Sequence, residues 1–134
     1  MRVAVIDGQG GGFGKHIVEQ LRKQMPDLDI LALGTNALAT GAMMKAGATE
    51  GASGEAAICF NASRVDIIAG SSVITTVHGL LGEITPAIAG AITASNALKV
   101  LIPIQRNNIV FTGVTRMPLP HHIEQLVEEI AKRK

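Results

Sequence analysis

Tyrosine and tryptophan are absent from the 134 residues, and the only aromatic side chains are three phenylalanines. Without aromatic platforms, recognition of single-stranded nucleic acid by base stacking is not indicated. Cysteine occurs once, at Cys59, so no disulfide closes within the chain, and at this length the hydrophobic core needs none. Charge is scarce as well. Charged residues make up 17% of the sequence and the net charge is +1, against the usual quarter for soluble domains. The only basic run is Lys132-Arg133-Lys134, which provides no electrostatic footprint for a nucleic-acid backbone. Between Ile67 and Leu98, Glu83 is the only charged residue, yet Gly, Ser, Thr, Asn, His and Pro interrupt the run; it is not a membrane span. The lone cysteine and the strand-like N-terminus, which has no charged-then-apolar signal layout, lead to the expectation of a cytoplasmic protein. No nucleic-acid or membrane partner is expected.

What is present is an alternation of strand and helix patterns in one expected domain spanning residues 1–134. Arg2–Asp7 reads as a buried strand. The helix predicted over about 12–25 puts Ile17, Val18, Leu21 and Met25 on one face and Glu19, Arg22 and Lys23 opposite, and Pro26 ends it. Asp29–Leu33 is a second strand, and Gly34-Thr35-Asn36 supplies a turn and an N-cap for an Ala- and Met-rich helix that stops near Gly47. A short strand around Ala48–Gly51, a helix over Glu55–Ala62 and a strand over Asp66–Ala69 follow. Thr85-Pro86 is a capping pair ahead of Ile84, Ile88 and Ile92 at four-residue spacing. Lys99–Ile104 is the next strand, and Ile109–Val114 is predicted to return beside it as a hairpin through Gln105-Arg106-Asn107-Asn108. An amphipathic helix carrying Ile123, Leu126, Val127 and Ile130 closes the chain. Apolar strands separated by helices specify a three-layer α/β fold with a mostly parallel sheet. Ligands of such sheets bind beyond the strand C-termini. There the loops Asp7–Lys15, Gly34–Asn36, Gly70–Ser72 and Pro103–Asn107 converge.

The first of these loops carries the chemistry. Arg2-Val3-Ala4-Val5-Ile6 ends in Asp7 and opens into Gly8-Gln9-Gly10-Gly11-Gly12-Phe13-Gly14-Lys15. Glycines between a strand and a helix expose backbone N–H groups to which a phosphate or other anion can dock. The candidate binding residues are therefore Asp7, Gly8, Gln9, Gly10, Gly11, Gly12, Phe13, Gly14 and Lys15, joined by Gly34, Thr35 and Asn36, by Gly70 and Ser71, and by Arg106. The expected ligand is small and anionic or phosphorylated, with a nucleotide or dinucleotide as the candidate cofactor; the alternatives are a small NAD(P)- or nucleotide-dependent enzyme and a structural or regulatory oligomer in which the loop only permits tight packing.

Gly8, Gly12 and Gly14 match G-x-x-x-G-x-G, so the loop resembles the cofactor loop of short-chain dehydrogenases. That resemblance implies a tyrosine-lysine pair for proton transfer, and the chain has no tyrosine. A dinucleotide site also calls for an acid at the end of the second strand, where the sequence has Gly34-Thr35-Asn36. Gly11-Gly12-Phe13-Gly14-Lys15 resembles a variant phosphate-binding loop of nucleotide triphosphatases, but His16 stands where the magnesium-holding Ser or Thr is required. Taken whole, VAVIDGQGGGFGKHIVEQL with LALGTNALAT, LLGEITPAIA and LIPIQRNN resembles a family of short bacterial proteins of unknown function whose hallmark is an Asp-Gly-Gln-Gly-Gly-Gly start. This likeness spans nearly the full chain and implies a Rossmann-like fold, with no catalytic residues to carry over.

Individual polar residues admit two readings each. Asp7 either holds a metal or acts as a base, or else accepts N–H bonds that brace its own loop. Glu83 either favours the Thr85-Pro86 helix through the dipole or joins a site with His78. Lys15 either neutralises a phosphate or faces solvent. Arg106 is either an anion contact or a surface-turn residue. Cys59 is expected to be a small core residue, and His121 and His122 to be solvated; no zinc spacing or catalytic triad order is recognisable. The charge-poor segments Asn36–Ala46 and Ser72–Leu98 lack the polar face of a monomer's surface helices, which predicts a homo-oligomer.

Overall fold

A computed structural model describes residues 1–106 and 108–134. Five strands, β1 (Arg2–Asp7), β2 (Asp29–Gly34), β3 (Glu50–Ser53), β4 (Ile67–Ser71) and β5 (Leu98–Ile102), form one sheet in the order β3-β2-β1-β4-β5. All four pairings are parallel, with Val3 facing Ile30 on one side and Ile67 on the other. The helices are α1 (Gly12–Gln24), α2 (Ala37–Ala46), α3 (Glu55–Asn61), α4 (Pro86–Ala94) and α5 (Leu119–Ala131), with a short 3-10 turn at Ser72–Thr75.

The two-residue period of the strands divides the core into two layers. Val3, Val5, Ile30, Ala32, Ile67 and Ala69 point to the side covered by α1, α2 and α5, where they meet Ile17, Leu21, Met43, Ile123 and Val127. Ala4, Ile6, Leu31, Leu33 and Ile68 point to the other side, against Ile58 of α3 and Ile88 and Ile92 of α4. Burial on both faces explains why the strands read as continuous apolar runs. The change of face occurs between α2 and α3, so strand order reverses between β1 and β4. The crevice beyond their C-terminal ends is where open α/β sheets take ligands.

The structure corrects the sequence reading in several places. Ile109–Val114 is not a strand, and no antiparallel pair exists among the described residues. The Ile104 N–H donates to Ser72 Oγ at 2.9 Å, drawing the chain across β4 instead of back along β5. Left-handed backbone at Asn108 (φ 61°) and Gly113 (φ 77°) further breaks the extended run. Asn107, part of the predicted turn, lies outside the described residues. Gly70 belongs to β4 and not to a loop: a Cβ there would lie 2.8 Å from the Ile6 carbonyl oxygen. Arg22, assigned to the solvent face of α1, is instead a strut. Its guanidinium donates to the carbonyls of Gly47 (3.0 Å), Pro26 (2.7 Å) and Leu28 (2.8 Å), bringing the ends of α1 and α2 together. Cys59 is only half-buried, at the contact of α3 with the Ala87 carbonyl. The Thr85-Pro86 cap forms as the sequence specifies, with Thr85 Oγ1 accepting the Ile88 N–H at 3.1 Å.

Candidate functional site

Apart from the Gly11 N–H, which closes a turn onto the Gly8 carbonyl at 2.9 Å, the loop after β1 distributes its N–H groups among three destinations. Asp7, at the end of β1, is buried and accepts the Gly8 N–H at Oδ1 (2.8 Å) and the Gly14 N–H at Oδ2 (2.7 Å). Gly14 is the third residue of α1, and the helix has no side-chain cap of its own. Asp7 therefore caps the helix from across the loop and satisfies an N–H that would otherwise lack a partner. This is the bracing role among its two sequence readings. No group of three or more His, Cys, Asp or Glu side chains suited to a metal ion occurs among the described residues.

The second destination is Glu83. Its Oε1 accepts the Gln9 N–H at 2.9 Å, the Asn36 side-chain N–H at 3.1 Å and the Thr35 hydroxyl. Among the described residues the hydrogen bonds of Glu83 all come from the β1 and β2 loops and none from the N–H groups of α4, whose N-cap is Thr85, and Glu83 forms no pair with His78. It sits in a strap between the 3-10 turn and α4 in which His78 (φ 66°), Leu80 (56°), Leu81 (55°) and Gly82 (94°) all have left-handed backbone. Bulky residues rarely adopt that conformation, at a cost of about 1–3 kcal/mol each. The strap's internal bonds, such as His78 N–H to the Ile84 carbonyl at 2.7 Å, offset part of it. The strap packs onto Gly8, where a Cβ would lie 2.6 Å from Thr35 Oγ1 and 2.9 Å from Leu80 Cδ1.

The third destination is open. Among the described residues, the N–H groups of Gly10 and Gly12 have no partner. Neither glycine has left-handed backbone, and a Cβ on either would meet nothing within 4 Å. Gly11 is different: its φ is 77°, and a Cβ would lie 2.9 Å from the backbone of Ala39. Gly11 and Gly14 thus serve the packing of α1 on α2, whereas Gly10 and Gly12 bare their backbone to a cavity of about 240 Å³. Its lining includes Asp7 through Phe13, Ser71, Leu80 and Arg106. This cavity lies at the β1–β4 reversal.

The predicted site residues therefore divide. Asp7, Gly8, Gln9, Gly10, Gly11, Gly12, Phe13, Ser71 and Arg106 surround one cavity. Thr35 and Asn36 do not line it; both donate to Glu83, which takes the N–H of the lining residue Gln9, and Asn36 also donates to the Gln9 carbonyl at 3.1 Å. Gly34 and Gly70 are packing positions; at Gly34 a Cβ would lie 2.6 Å from the backbone nitrogen of Thr40. Lys15 is exposed on α1 and does not line the cavity. His16 lies 3.6 Å from Glu19 and lines a larger groove of about 740 Å³ between α1 and α5, away from the loop. The sequence offered one signal for the role of Glu83, its isolation as the sole charge in an uncharged stretch, but no periodicity connects residue 83 to residue 9.

Two carboxylates beside one loop set opposite pH responses. Burial raises the Asp7 pKa above its ordinary 3.8; the Gly14 and Gly8 N–H bonds oppose this and the like charge of Glu83 adds to it. Desolvation would raise Glu83 too, but the bonds from Gln9, Thr35 and Asn36 together hold it below its ordinary value. Asp7 accordingly favours the fold most below its unfolded pKa and loses that contribution as pH rises through its folded pKa; Glu83 contributes above its unfolded pKa and loses it as pH falls. A carboxyl-carbon NMR titration is expected to place the Asp7 midpoint above 3.8 and to move it downward in Glu83→Gln. An unchanged midpoint in that variant would show the two groups to be uncoupled.

Among solved structures, a dodecameric FMN-dependent UbiX-like decarboxylase from Escherichia coli O157:H7 resembles this chain with a TM-score of 0.54 at 13% sequence identity, covering 98% of this chain and 95% of that one. At that identity the likeness shows the fold alone, a Rossmann-like one. No helix among the described residues is long and apolar enough to cross a membrane. No curated protein matches the sequence. The model of the family described as Domain of unknown function (DUF3842) matches residues 2–134, and the chain belongs to that family.

Proposed function

We propose that this protein binds a nucleotide or phosphorylated metabolite at the loop after β1, with a phosphate seated on the N–H groups of Gly10 and Gly12. The observation that carries this reading is the contrast among the glycines. Gly11 and Gly14 are demanded by backbone and packing, while Gly10 and Gly12 are demanded by neither and keep their N–H groups unspent. Small residues there serve the close approach of a ligand. The N-terminus of α1 adds a favourable field for negative charge. The Arg106 guanidinium, in no ion pair among the described residues, lines the same cavity, as does Ser71. At about 240 Å³ the cavity is smaller than the roughly 300–1,000 Å³ typical of small-molecule sites. It encloses the phosphate end of a ligand while the remainder extends past Leu80. The FMN-dependence of the structural neighbour supports a flavin nucleotide as one candidate.

A thermal-shift screen with AMP, ADP, NAD, FMN and inorganic pyrophosphate tests the reading. A binder at about 100 times its dissociation constant should add roughly 2.7 kcal/mol of stability. No shift with any of these would overturn it. We further propose a homo-oligomer, supported by Leu38 at 72% and Leu81 at 96% exposure on charge-poor segments and by the dodecameric state of the structural neighbour. Light scattering at micromolar concentration is expected to give more than one protomer's mass, and a monomer there would remove the claim.

A further inference from the structure

We infer that Glu83 reads the sugar hydroxyls of the phosphorylated ligand, so that the site takes a phosphate ester whose sugar or polyol chain carries vicinal hydroxyls. This rests on the phosphate seat proposed above. Glu83 is fixed on one side only: Oε1 takes the Gln9 N–H, the Asn36 amide and the Thr35 hydroxyl, while Oε2 has no partner among the described residues. A carboxylate held by three donors has already lost the side-chain freedom that binding would otherwise cost. Its free oxygen can accept only from a donor, and a hydroxyl fits where a second phosphate is repelled.

Position gives the same answer. Gln9 and Gly10 are consecutive, so the carboxylate held at Gln9 adjoins the open N–H of Gly10. Glu83 does not itself line the cavity, but Gln9 and Leu80 beside it do, so a ligand chain that leaves the Gly10 seat on that side meets the free oxygen within the few atoms over which a ribose 5-phosphate or a ribityl phosphate carries hydroxyls. Open dinucleotide folds place an acid at the end of the second strand for this purpose. Here β2 ends in Gly34 followed by Thr35 and Asn36, and those two side chains hold in place an acid delivered from the strap, 47 residues beyond Asn36. The acid that the sequence lacks at the end of β2 is present there in space.

Isothermal titration with AMP, 2′-deoxy-AMP, FMN and inorganic pyrophosphate tests the inference and separates a ribose from a ribityl source. AMP is expected to bind at least about tenfold more tightly than 2′-deoxy-AMP if the ribose is read, or FMN to do so if the ribityl chain is read, as befits a charge-assisted hydrogen bond. Glu83→Gln should bring the favoured ligand down to the level of 2′-deoxy-AMP, whereas pyrophosphate, relieved of the carboxylate's repulsion, should bind no more weakly than before. Equal affinities in the unaltered protein would overturn the inference without recourse to any variant. So would a Glu83→Gln protein that binds every probe more tightly, which would make Glu83 an internal competitor for the phosphate. If pyrophosphate alone binds, the hydroxyl inference fails and the phosphate seat stands; if nothing binds, both fall.

Discussion

Gly12→Leu is expected to weaken binding of a phosphorylated ligand by at least about a hundredfold while leaving the fold intact. At the first residue of α1 a Cβ meets no protein atom within 4 Å, so a leucine has room to lie over the neighbouring open N–H groups. Leucine is also a better helix former than glycine by roughly 0.5–1 kcal/mol. Stability should therefore hold or rise by a few tenths of a kcal/mol as the ligand's path to the two N–H groups closes. Titration calorimetry together with a thermal melt checks both halves. Retained binding would place the ligand elsewhere, and a collapsed melting temperature would mean that the glycine is needed for packing.

Gly11→Val is expected to do the reverse. Its left-handed backbone disfavours a β-branched residue by about 1–3 kcal/mol, and its Cβ would meet the Ala39 backbone at 2.9 Å. A backbone contact cannot rotate away, so α1 and α2 must separate, adding about 1–3 kcal/mol. A loss of about 2–5 kcal/mol in denaturant unfolding is the expected result. A change below about 1 kcal/mol would show that the close approach of the loop to α2 is not tight. Neighbouring glycines thus separate folding from binding.

The layered fold was legible because its signals are local. Val3 to Ile6 and Ile30 to Leu33 declare strands buried on both faces, Thr85-Pro86 declares a helix start, and Ile17, Val18 and Leu21 declare one helix face. The path after β5 is not legible in the sequence, because Ile109 and Val110 look strand-like while the Ser72–Ile104 bond that turns the chain is a contact between residues 32 apart. The site was half legible. Five glycines announce a loop that exposes its backbone, but which of them faces a ligand depends on Ala39 and Met43 of α2, which fill the space at Gly11 and Gly14. Glu83 was the least legible: its partners Gln9, Thr35 and Asn36 lie at least 47 residues away, and the strained backbone that carries it there has no compositional signature beyond Gly79 and Gly82.

The proposed phosphate seat on the N–H groups of Gly10 and Gly12 is open to direct measurement. Amide NMR spectra recorded during titration with inorganic pyrophosphate test it directly. The largest shifts are expected at Gly10 and Gly12, with Arg106 following, and little movement at Gly8 and Gly14, whose N–H groups stay on Asp7. Shifts concentrated in the groove between α1 and α5, or at Lys15 without Gly10 and Gly12, would contradict the account.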